Sequence, residues 1–406
     1  MASALLGPAL ARVGESPRVV VSGNFATPYT LLHAVDPELE QYTLHMLNAQ
    51  PGIPSRPGVV HETTFVGPGM RYTPELRYVP CRLSLLPLLF TGALPVDVVL
   101  LHTSTPRNGF VSMGTEVNVL PAAIESVRRR GGVVLAQMNQ AMPFTYGDGV
   151  IPVEHVDAAI EVNEPLASPM PKGSVDRDAQ IIGGRIAELV PNGATVQIGI
   201  GAVPDATVSA LENHRGLAVW SEMISDGVLL LERSGALDTG APVTSSFAFG
   251  EPELYEWLDG NERVRVLRTE TTNDPARIAT NTDMVSINTA LQVDLFGQAN
   301  ASRVGKRIYS GFGGQTDFVV GALHAPGGQA LVALRSWHPK ADRSTVVPFV
   351  DEPVTSFQMS AVVTEQGVAA ISGCDQRSQA LNLIEQAAHP RARESLHRRA
   401  RELHIL

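Results

Sequence analysis

Short, continuous apolar runs alternate along the chain with segments of helical periodicity. A run such as VDVVLL at 96–101 has no polar alternation, which is typical of a strand that is buried on both faces and lies between helices. Strands and helices in alternation predict an α/β fold with parallel or mixed sheets. The predicted strands are 18–22, 96–101, 132–137, 195–200, 217–220, 264–267 and 330–334, and the clearest predicted helices are 121–130 and 176–189.

One segment interrupts this alternation with the composition of a linker. The stretch EPLASPMPKGS at 164–174 contains three prolines, a glycine and small polar residues. Asp176 follows it at a position that can cap a new helix. The sequence therefore predicts two domains, 1–174 and 175–406.

The two predicted domains share a short internal echo. In both VVSGNFATP and VQIGIGAVP, a strand-like run leads to a glycine, and a proline follows five residues later. The matched pairs are Gly23 and Gly199, Ala26 and Ala202, and Pro28 and Pro204, each 176 positions apart (199 − 23 = 176). The echo favours two tandem, similar α/β domains, although a match this short also arises by chance.

Charge and composition exclude several classes of partner. The 406 residues include 31 basic and 41 acidic ones, a formal charge of 31 − 41 = −10. This charge provides no general attraction for nucleic acid or an anionic membrane. The apolar region 84–101 contains Pro87, Gly92, Pro95 and Asp97, and so predicts a short helix, a turn and a strand rather than a membrane span.

Cysteine and histidine usage predicts a reduced protein without a bound metal. The two cysteines, Cys81 and Cys374, are far apart and lie in no paired motif, which excludes a disulfide framework and a cysteine-based zinc site. The histidines do not cluster at metal-ligand spacing. The N-terminal residues 1–14 lack the basic region of a signal peptide, so a cytoplasmic location is expected.

A glycine-rich turn is the strongest local feature. In QIGIGAVPDA at 197–206, a strand ends in Gly199 and Gly201, and Pro204 stands where a helix is expected to begin. Glycines at such a turn let backbone N–H groups reach a phosphate or an oxyanion. The third glycine of the dinucleotide fingerprint is absent, which argues against NAD. A tight strand-to-helix connection without a ligand is equally compatible with this motif.

An acidic residue follows the next predicted strand directly. Glu222 in VWSEMISDG comes just after the strand 217–220, and open α/β sheets bind ligands outside the carboxyl ends of their strands. A carboxylate there is a candidate nucleophile or base. The alternative is a surface glutamate that caps a helix or forms a salt bridge.

A second glycine loop follows a polar strand. Gly311, Gly313 and Gly314 in SGFGGQTDF indicate either backbone contact with a ligand or a very tight turn. The preceding segment MVSINTALQVDLFGQAN contains Asn288, whose amide is a candidate donor to an oxyanion. The alternative for Asn288 is a structural role in a turn or cap.

Ten sequence blocks occur in a fixed order along nearly the whole chain. They are ETTFVGPGMR (62–71), STPRNGFVSMG (104–114), MPFTYGDG (142–149), QIGIGAVPDA, SEMISDGV, NDPARIATN (273–281), MVSINTALQVDLFGQANA, YSGFGGQTDF, VTEQGVA (363–369) and AHP (388–390). In this order they resemble the acetyl-CoA hydrolase/CoA-transferase family, in its short 4-hydroxybutyrate CoA-transferase type.

The resemblance implies an activity and a set of site residues. It implies two CoA-transferase-type α/β domains that exchange CoA between a short-chain acyl-CoA and a small carboxylic acid through a glutamyl-CoA thioester, in a homodimer. CoA and acyl-CoA are then substrates, and no cofactor is bound permanently. The implied catalytic residues are Glu222 and Asn288, and the implied CoA-contacting residues are Gly199, Ile200, Gly201, Ala202, Val203, Gly311, Gly313 and Gly314.

Several segments depart from the family pattern. Gln366 stands where the family usually has tyrosine, and 371–374 stand where a basic segment is expected. The pair Ser344-Thr345 stands where the family has Ser-Arg, and RSWHPKA (335–341) replaces a loop of small residues. Lys340 and Arg343 are candidates to supply the missing positive charge. Two alternatives to a transferase follow: an acyl-CoA hydrolase on the same scaffold, or a non-catalytic CoA-binding subunit.

Overall fold

The structure is a computed structural model that describes residues 2–170 and 176–406. Its α-helices are α1 (Ala2–Leu10), α2 (Tyr29–Val35), α3 (Leu86–Phe90), α4 (Leu120–Arg129), α5 (Arg177–Leu189), α6 (Ala202–Ala210), α7 (Asp226–Arg233), α8 (Pro252–Leu258), α9 (Thr269–Thr272), α10 (Pro275–Ile278), α11 (Gln315–His324), α12 (Gln376–Asn382) and α13 (Pro390–Glu402).

Most of the strands are short. They are β1 (Arg18–Val21), β2 (Tyr42–His45), β3 (Val59–Thr63), β4 (Arg77–Tyr78), β5 (Val98–Ser104), β6 (Phe110–Ser112), β7 (Val133–Asn139), β8 (Tyr146–Gly147), β9 (Val150–Pro152), β10 (Ala158–Val162), β11 (Thr195–Ile198), β12 (Ala218–Trp220), β13 (Met223–Ile224), β14 (Val243–Ser245), β15 (Phe247–Ala248), β16 (Val264–Val266), β17 (Met284–Thr289), β18 (Gln292–Asp294), β19 (Ala299–Asn300), β20 (Arg303–Val304), β21 (Arg307–Ile308), β22 (Gln329–Ala333), β23 (Trp337–His338), β24 (Arg343–Ser344), β25 (Val346–Val347), β26 (Ala361–Val363) and β27 (Val368–Ala370).

The described residues form two compact units. The first contains 2–170, 242–272 and 309–313, and the second contains 176–241, 273–308 and 314–406. The boundary that the sequence predicts near residue 174 lies outside the described residues. The prediction did not place 242–272 and 309–313 in the first unit. Their membership depends on which strands pack together, and local composition does not determine that.

The first unit is built on a parallel sheet in the order β10-β7-β5-β1-β2-β3-β4. Every residue of β5 and β7 is buried, as expected for strands that are covered by helices on both faces. The predicted interpretation of 84–101 is confirmed, since α3 is followed by a turn and then by β5. The strands β14, β16 and β8 form a further parallel ladder in this unit.

The second unit repeats the same topology. Its sheet runs β27-β26-β22-β17-β11-β12, parallel except for the antiparallel edge strand β27. Strand β11 lies between β17 and β12, just as β1 lies between β5 and β2. Beyond β17 the sheet continues with β22 and then β26, as the first sheet continues beyond β5 with β7 and then β10. The predicted α/β class with two similar domains is therefore confirmed, and the echo at Gly23 and Gly199 marks the matching strand ends.

The predicted helix cap at Asp176 is confirmed. Asp176 is the N-cap of α5, and its Oδ1 accepts a hydrogen bond from the backbone N–H of Ala179 at 3.2 Å.

In the part of the chain that the structure describes, no helix combines the length and the apolar character that crossing a bilayer would require.

A buried charged cluster ties the first three strands of the chain together. Arg18 of β1 donates from Nε to Glu62 Oε1 of β3 at 2.8 Å, and His45 Nδ1 of β2 lies 3.0 Å from the same oxygen. Glu62 is 3% exposed. Burial alone would raise the pKa of Glu62, but the hydrogen bonds from His45 and Arg18 outweigh it and hold the pKa at about 2.

Removal of Arg18 should destabilise the protein strongly. We expect Arg18→Met to lower the free energy of unfolding by about 3 to 5 kcal/mol, because it leaves the Glu62 carboxylate buried without its arginine partner. Arg107→Met is the matched control, since Arg107 pairs with Asp259 at an exposed position, and it should cost less than about 1 kcal/mol. Urea unfolding followed by circular dichroism measures both.

The same cluster predicts an acid dependence of stability. A carboxyl with a lowered pKa stabilises the fold fully above its ordinary pKa, and this contribution is lost as the pH falls toward the lowered value. The stability of the wild type should therefore fall more steeply between pH 4.5 and pH 2 than that of Glu62→Gln. Parallel curves for the two proteins would contradict this account.

Candidate active site

Glu222 lies at the carboxyl end of a strand, as the sequence predicts. β12 ends at Trp220, and Ser221 and Glu222 follow before the short strand β13. The Ser221 hydroxyl donates to the backbone carbonyl of Ile198 at the end of β11, 3.2 Å away. This bond fixes the backbone that carries Glu222 against the neighbouring strand end.

The carboxylate of Glu222 contacts a buried amide. Asn273 donates from Nδ2 to Glu222 Oε2 at 2.8 Å, and Asn273 itself is fully buried. Gly314, the N-cap of α11, lies on the other side. A β-carbon built on Gly314 would overlap both Glu222 Oε2 and Asn273 Nδ2. The absence of a side chain at residue 314 is therefore what leaves room for this pair.

The surroundings of Glu222 change its acidity. Burial raises the pKa of Glu222 to about 7, the hydrogen bond from Asn273 works in the opposite direction, and the negative charge of Asp317 raises the pKa further. Asp317 lies in the first turn of α11 and is fully buried. A glutamate with this pKa is present in both protonation states near neutral pH, which suits a group that alternates between nucleophile and leaving group.

The predicted glycine turn connects β11 to α6. α6 begins at Ala202, two residues before the predicted start, so Pro204 is its third residue and lies in the first turn, where no intrahelical N–H is needed. Gly201 is the N-cap with φ at +123°, a conformation that requires glycine. Ile200 is 45% exposed, which is unusual for a large apolar side chain at the end of a buried strand.

Asn288 lies two strands away from Glu222. It is on β17, and its Nδ2 donates to Gln197 Oε1 of β11 at 3.0 Å. Because β11 separates β17 from β12, the two strand ends are about 10 Å apart at ordinary strand spacing. One N–H of the Asn288 amide is therefore used to join two strands, and its predicted role as an oxyanion donor stays a prediction.

The three glycines of the second loop have different surroundings. A β-carbon on Gly311 would lie 2.5 Å from the Thr64 carbonyl oxygen, and one on Gly313 would lie 3.0 Å from the Phe65 ring, so packing within the first unit explains both. Gly314 is the one of the three that packs against Glu222. Contact of Gly311 and Gly313 with CoA stays a prediction.

A cavity of about 410 Å³ opens beside the glycine turn in the second unit. Val203, in the first turn of α6, lines this cavity together with residues at the ends of β17 and β22 and with the segment 335–341, which departs from the family pattern. The lining residues are Val203, Thr289, Ala290, Leu291, Ala333, Leu334, Arg335, Trp337, His338, Pro339, Lys340 and Thr345. Of the predicted CoA-contacting residues, Val203 is the one that lines this cavity.

Sequence reasoning did not single out the two residues that tune Glu222. Asn273 and Asp317 are 51 and 95 residues from Glu222 in the chain (273 − 222 = 51, 317 − 222 = 95). Both lie in blocks that carry the family resemblance, NDPARIATN and YSGFGGQTDF. The resemblance therefore marked both segments, but it assigned no function to either residue. Among the described residues, no group of acidic, histidine or cysteine side chains could hold a metal ion.

Two family models match the chain. The N-terminal domain of the acetyl-CoA hydrolase/transferase family matches residues 58–170, and the C-terminal domain of that family matches residues 250–400. The 4-hydroxybutyrate coenzyme A transferase of Clostridium kluyveri is 35% identical, over 96% of this chain and 94% of that protein. An acetyl-CoA hydrolase of Neurospora crassa is more distant, 27% identical over 72% of this chain and 63% of its own.

Solved structures share the fold along the whole chain. The 4-hydroxybutyrate CoA-transferase of Porphyromonas gingivalis has a TM-score of 0.83 and 31% identity, covering 99% of this chain and 97% of that one. The RipA structure from Yersinia pestis has a TM-score of 0.90 and 26% identity, covering both chains completely. By its family models, its relatives and its fold, this chain belongs to the acetyl-CoA hydrolase/transferase family.

Proposed function

We propose that this CoA-transferase moves CoA between a short-chain acyl-CoA, such as acetyl-CoA, and a small carboxylic acid, with Glu222 as the nucleophile. The single observation that carries the proposal is the carboxylate of Glu222 at a strand end, hydrogen-bonded to Asn273 beside Gly314. The position suits attack on a bound thioester, because ligands of open α/β sheets bind outside the carboxyl ends of the strands.

The proposed reaction has two halves. Glu222 attacks the thioester carbonyl carbon, the carbon–sulfur bond breaks, and an acyl-glutamyl anhydride and CoA thiolate result. The thiolate then attacks the glutamyl carbonyl carbon, which releases the first acid and leaves a glutamyl-CoA thioester. A second carboxylate attacks that thioester, and the same steps in reverse produce the new acyl-CoA.

Asn273 takes the role of oxyanion donor in this scheme. Its amide N–H already donates to Oε2, so Oε1 is the oxygen that attacks. Oε2 becomes the glutamyl carbonyl oxygen, and negative charge develops on it when thiolate or the second acid attacks. A preorganised donor at that atom stabilises the intermediate, which is worth about 100-fold in rate or more.

The relatives favour transfer over hydrolysis. The Clostridium kluyveri transferase is 35% identical to this chain, and the Neurospora crassa hydrolase is 27% identical. CoA and acyl-CoA enter this proposal as substrates, with no permanently bound cofactor. The homodimer and the cytoplasmic location expected from the sequence belong to the same proposal.

Trapping of the glutamyl thioester tests the function directly. Incubation with acetyl-CoA followed by borohydride should reduce Glu222 to the corresponding alcohol, which peptide mass spectrometry detects. Glu222→Gln should lose both the modification and the transfer of CoA, by at least about a thousandfold in kcat. Glu188→Gln changes an exposed glutamate of α5 and serves as the control.

Three outcomes would contradict the proposed transfer. An active Glu222→Gln enzyme would show that Glu222 is not the nucleophile. Loss of acetyl-CoA at the same rate with and without an acceptor acid would identify a hydrolase instead, and binding of CoA without any turnover would identify a CoA-binding subunit.

Two substitutions beside Glu222 should shift its titration in opposite directions. The nucleophile must be ionised, so kcat/KM should rise with pH through a pKa of about 7. Asn273→Ala should move this limb to higher pH, because it removes a bond to the charged form, and should lower kcat about 100-fold. Asp317→Asn should move the limb to lower pH. Shifts in the same direction would contradict the assigned causes.

The space at Gly314 should be essential for activity. Gly314→Ala adds a β-carbon where Glu222 and Asn273 meet, so we expect kcat to fall at least about 100-fold through displacement of the carboxylate. Gly184→Ala is the matched control, because a β-carbon on this residue of α5 meets nothing within 4 Å. It should leave kcat unchanged, and full activity of Gly314→Ala would overturn the assigned geometry.

A further inference from the structure

We propose that the segment at residues 337–344, here called the basic hairpin, binds the phosphate groups of CoA through Lys340 and Arg343. This inference rests on the proposed function, because it takes CoA as the substrate, and it assigns the binding of phosphate to residues particular to this chain. The basic hairpin consists of β23 and β24, which pair antiparallel with Trp337 opposite Ser344 and His338 opposite Arg343.

Residues of the basic hairpin line two cavities of the second unit. Lys340 and His338 line the larger one, of about 410 Å³, which Val203 at the start of α6 also lines. Arg343 and His338 line a smaller one of about 70 Å³, together with Arg303. Cations therefore line both cavities, and the larger one reaches Val203 in the first turn of α6.

The positive charge of this region is available to a ligand. Arg335 pairs with Asp176, and Asp342 accepts hydrogen bonds from Trp337 Nε1 at 3.0 Å and from Arg391 at 3.4 Å. Among residues 2–170 and 176–406, no carboxylate forms a salt bridge with Lys340 or Arg343. In a chain of net charge −10, two such cations beside a cavity indicate an anionic ligand.

The basic hairpin is held in place before any ligand binds. The Arg391 guanidinium carbon lies 4.3 Å from the centroid of the Trp337 ring, and the His389 ring lies 4.9 Å from it. The backbone N–H of Ala341 donates to His338 Nδ1 at 3.0 Å, which leaves the ring proton of neutral His338 on Nε2 as a further donor. A preorganised loop loses less entropy when it binds its ligand.

Two of the departures from the family pattern, Thr345 and Gln366, are linked by hydrogen bonds at the base of the basic hairpin. Thr345, where the resemblance leads us to expect a basic residue, donates from its backbone N–H to the Ser336 carbonyl at 3.1 Å. Ser336 donates from its own N–H to Glu365 Oε2 at 2.9 Å, and Gln366 donates to Glu365 Oε1 at 3.1 Å. The substituted residues support the basic hairpin, and the cations lie on the hairpin instead.

Direct binding measurements test this assignment without turnover. Calorimetry with CoA should give a Kd about five- to tenfold weaker for Lys340→Gln and for Arg343→Gln than for the wild type. The loss should shrink at high salt, because contacts between exposed charges are screened. Arg398→Gln, which removes an exposed arginine of α13 outside both cavities, is the matched control and should bind like the wild type.

Shortened substrates separate phosphate binding from a general loss of structure. With acetyl-pantetheine, which lacks all the phosphates, both variants should show the same kcat/KM as the wild type. Comparison of CoA with dephospho-CoA identifies which variant senses the 3′-phosphate, since that variant alone should not discriminate between the two.

The outcomes distinguish this inference from the proposed function. A Kd for CoA that neither substitution changes, or an equal loss with acetyl-pantetheine, would overturn the role of the basic hairpin while leaving the transferase proposal intact. CoA binding that weakens as expected in a protein with no turnover would support the basic hairpin and contradict the transferase.

Discussion

The proposed chemistry depends on a carboxylate that must be ionised in a partly buried site. Burial raises the pKa of Glu222 to about 7, and the amide of Asn273 limits the rise. Because the raised pKa favours the protonated form in the fold, this residue contributes less stability as the pH rises from 4.5 through 7. The candidate active site therefore lowers stability, as functional sites commonly do.

Glu62 is a second glutamate, and its surroundings shift its pKa in the opposite direction. Arg18 and His45 contact its carboxylate and hold its pKa at about 2, so it is charged at every pH at which the protein is expected to work. Glu222 has one neutral donor and the negative Asp317 beside it. Partners, rather than burial alone, decide whether the pKa of each of these glutamates is lowered or raised.

The parallel sheet of the second unit explains how distant residues come to one edge. Its parallel strands end at the same side, so the turn at Gly201, Glu222 after β12, Asn288 on β17 and the basic hairpin after β22 share that edge. The acidic charge of the chain does not prevent this edge from binding an anion, because electrostatic attraction acts over about 10 Å or less in physiological salt. Local cations such as Lys340 therefore outweigh the net charge.

The sequence by itself determined the features that depend on neighbours in the chain: the α/β alternation, the repeated strand-turn-helix at Gly23 and Gly199, the helix cap at Asp176, and Glu222 at a strand end. Periodicity, turn chemistry and capping act over a few residues, so they can be predicted locally. Tertiary structure alone decided that Asn273 and Asp317 act on Glu222, that Asn288 binds Gln197, and that 242–272 and 309–313 join the first unit. These outcomes depend on which strands and helices pack together, and burial and charge change a pKa only once that packing exists.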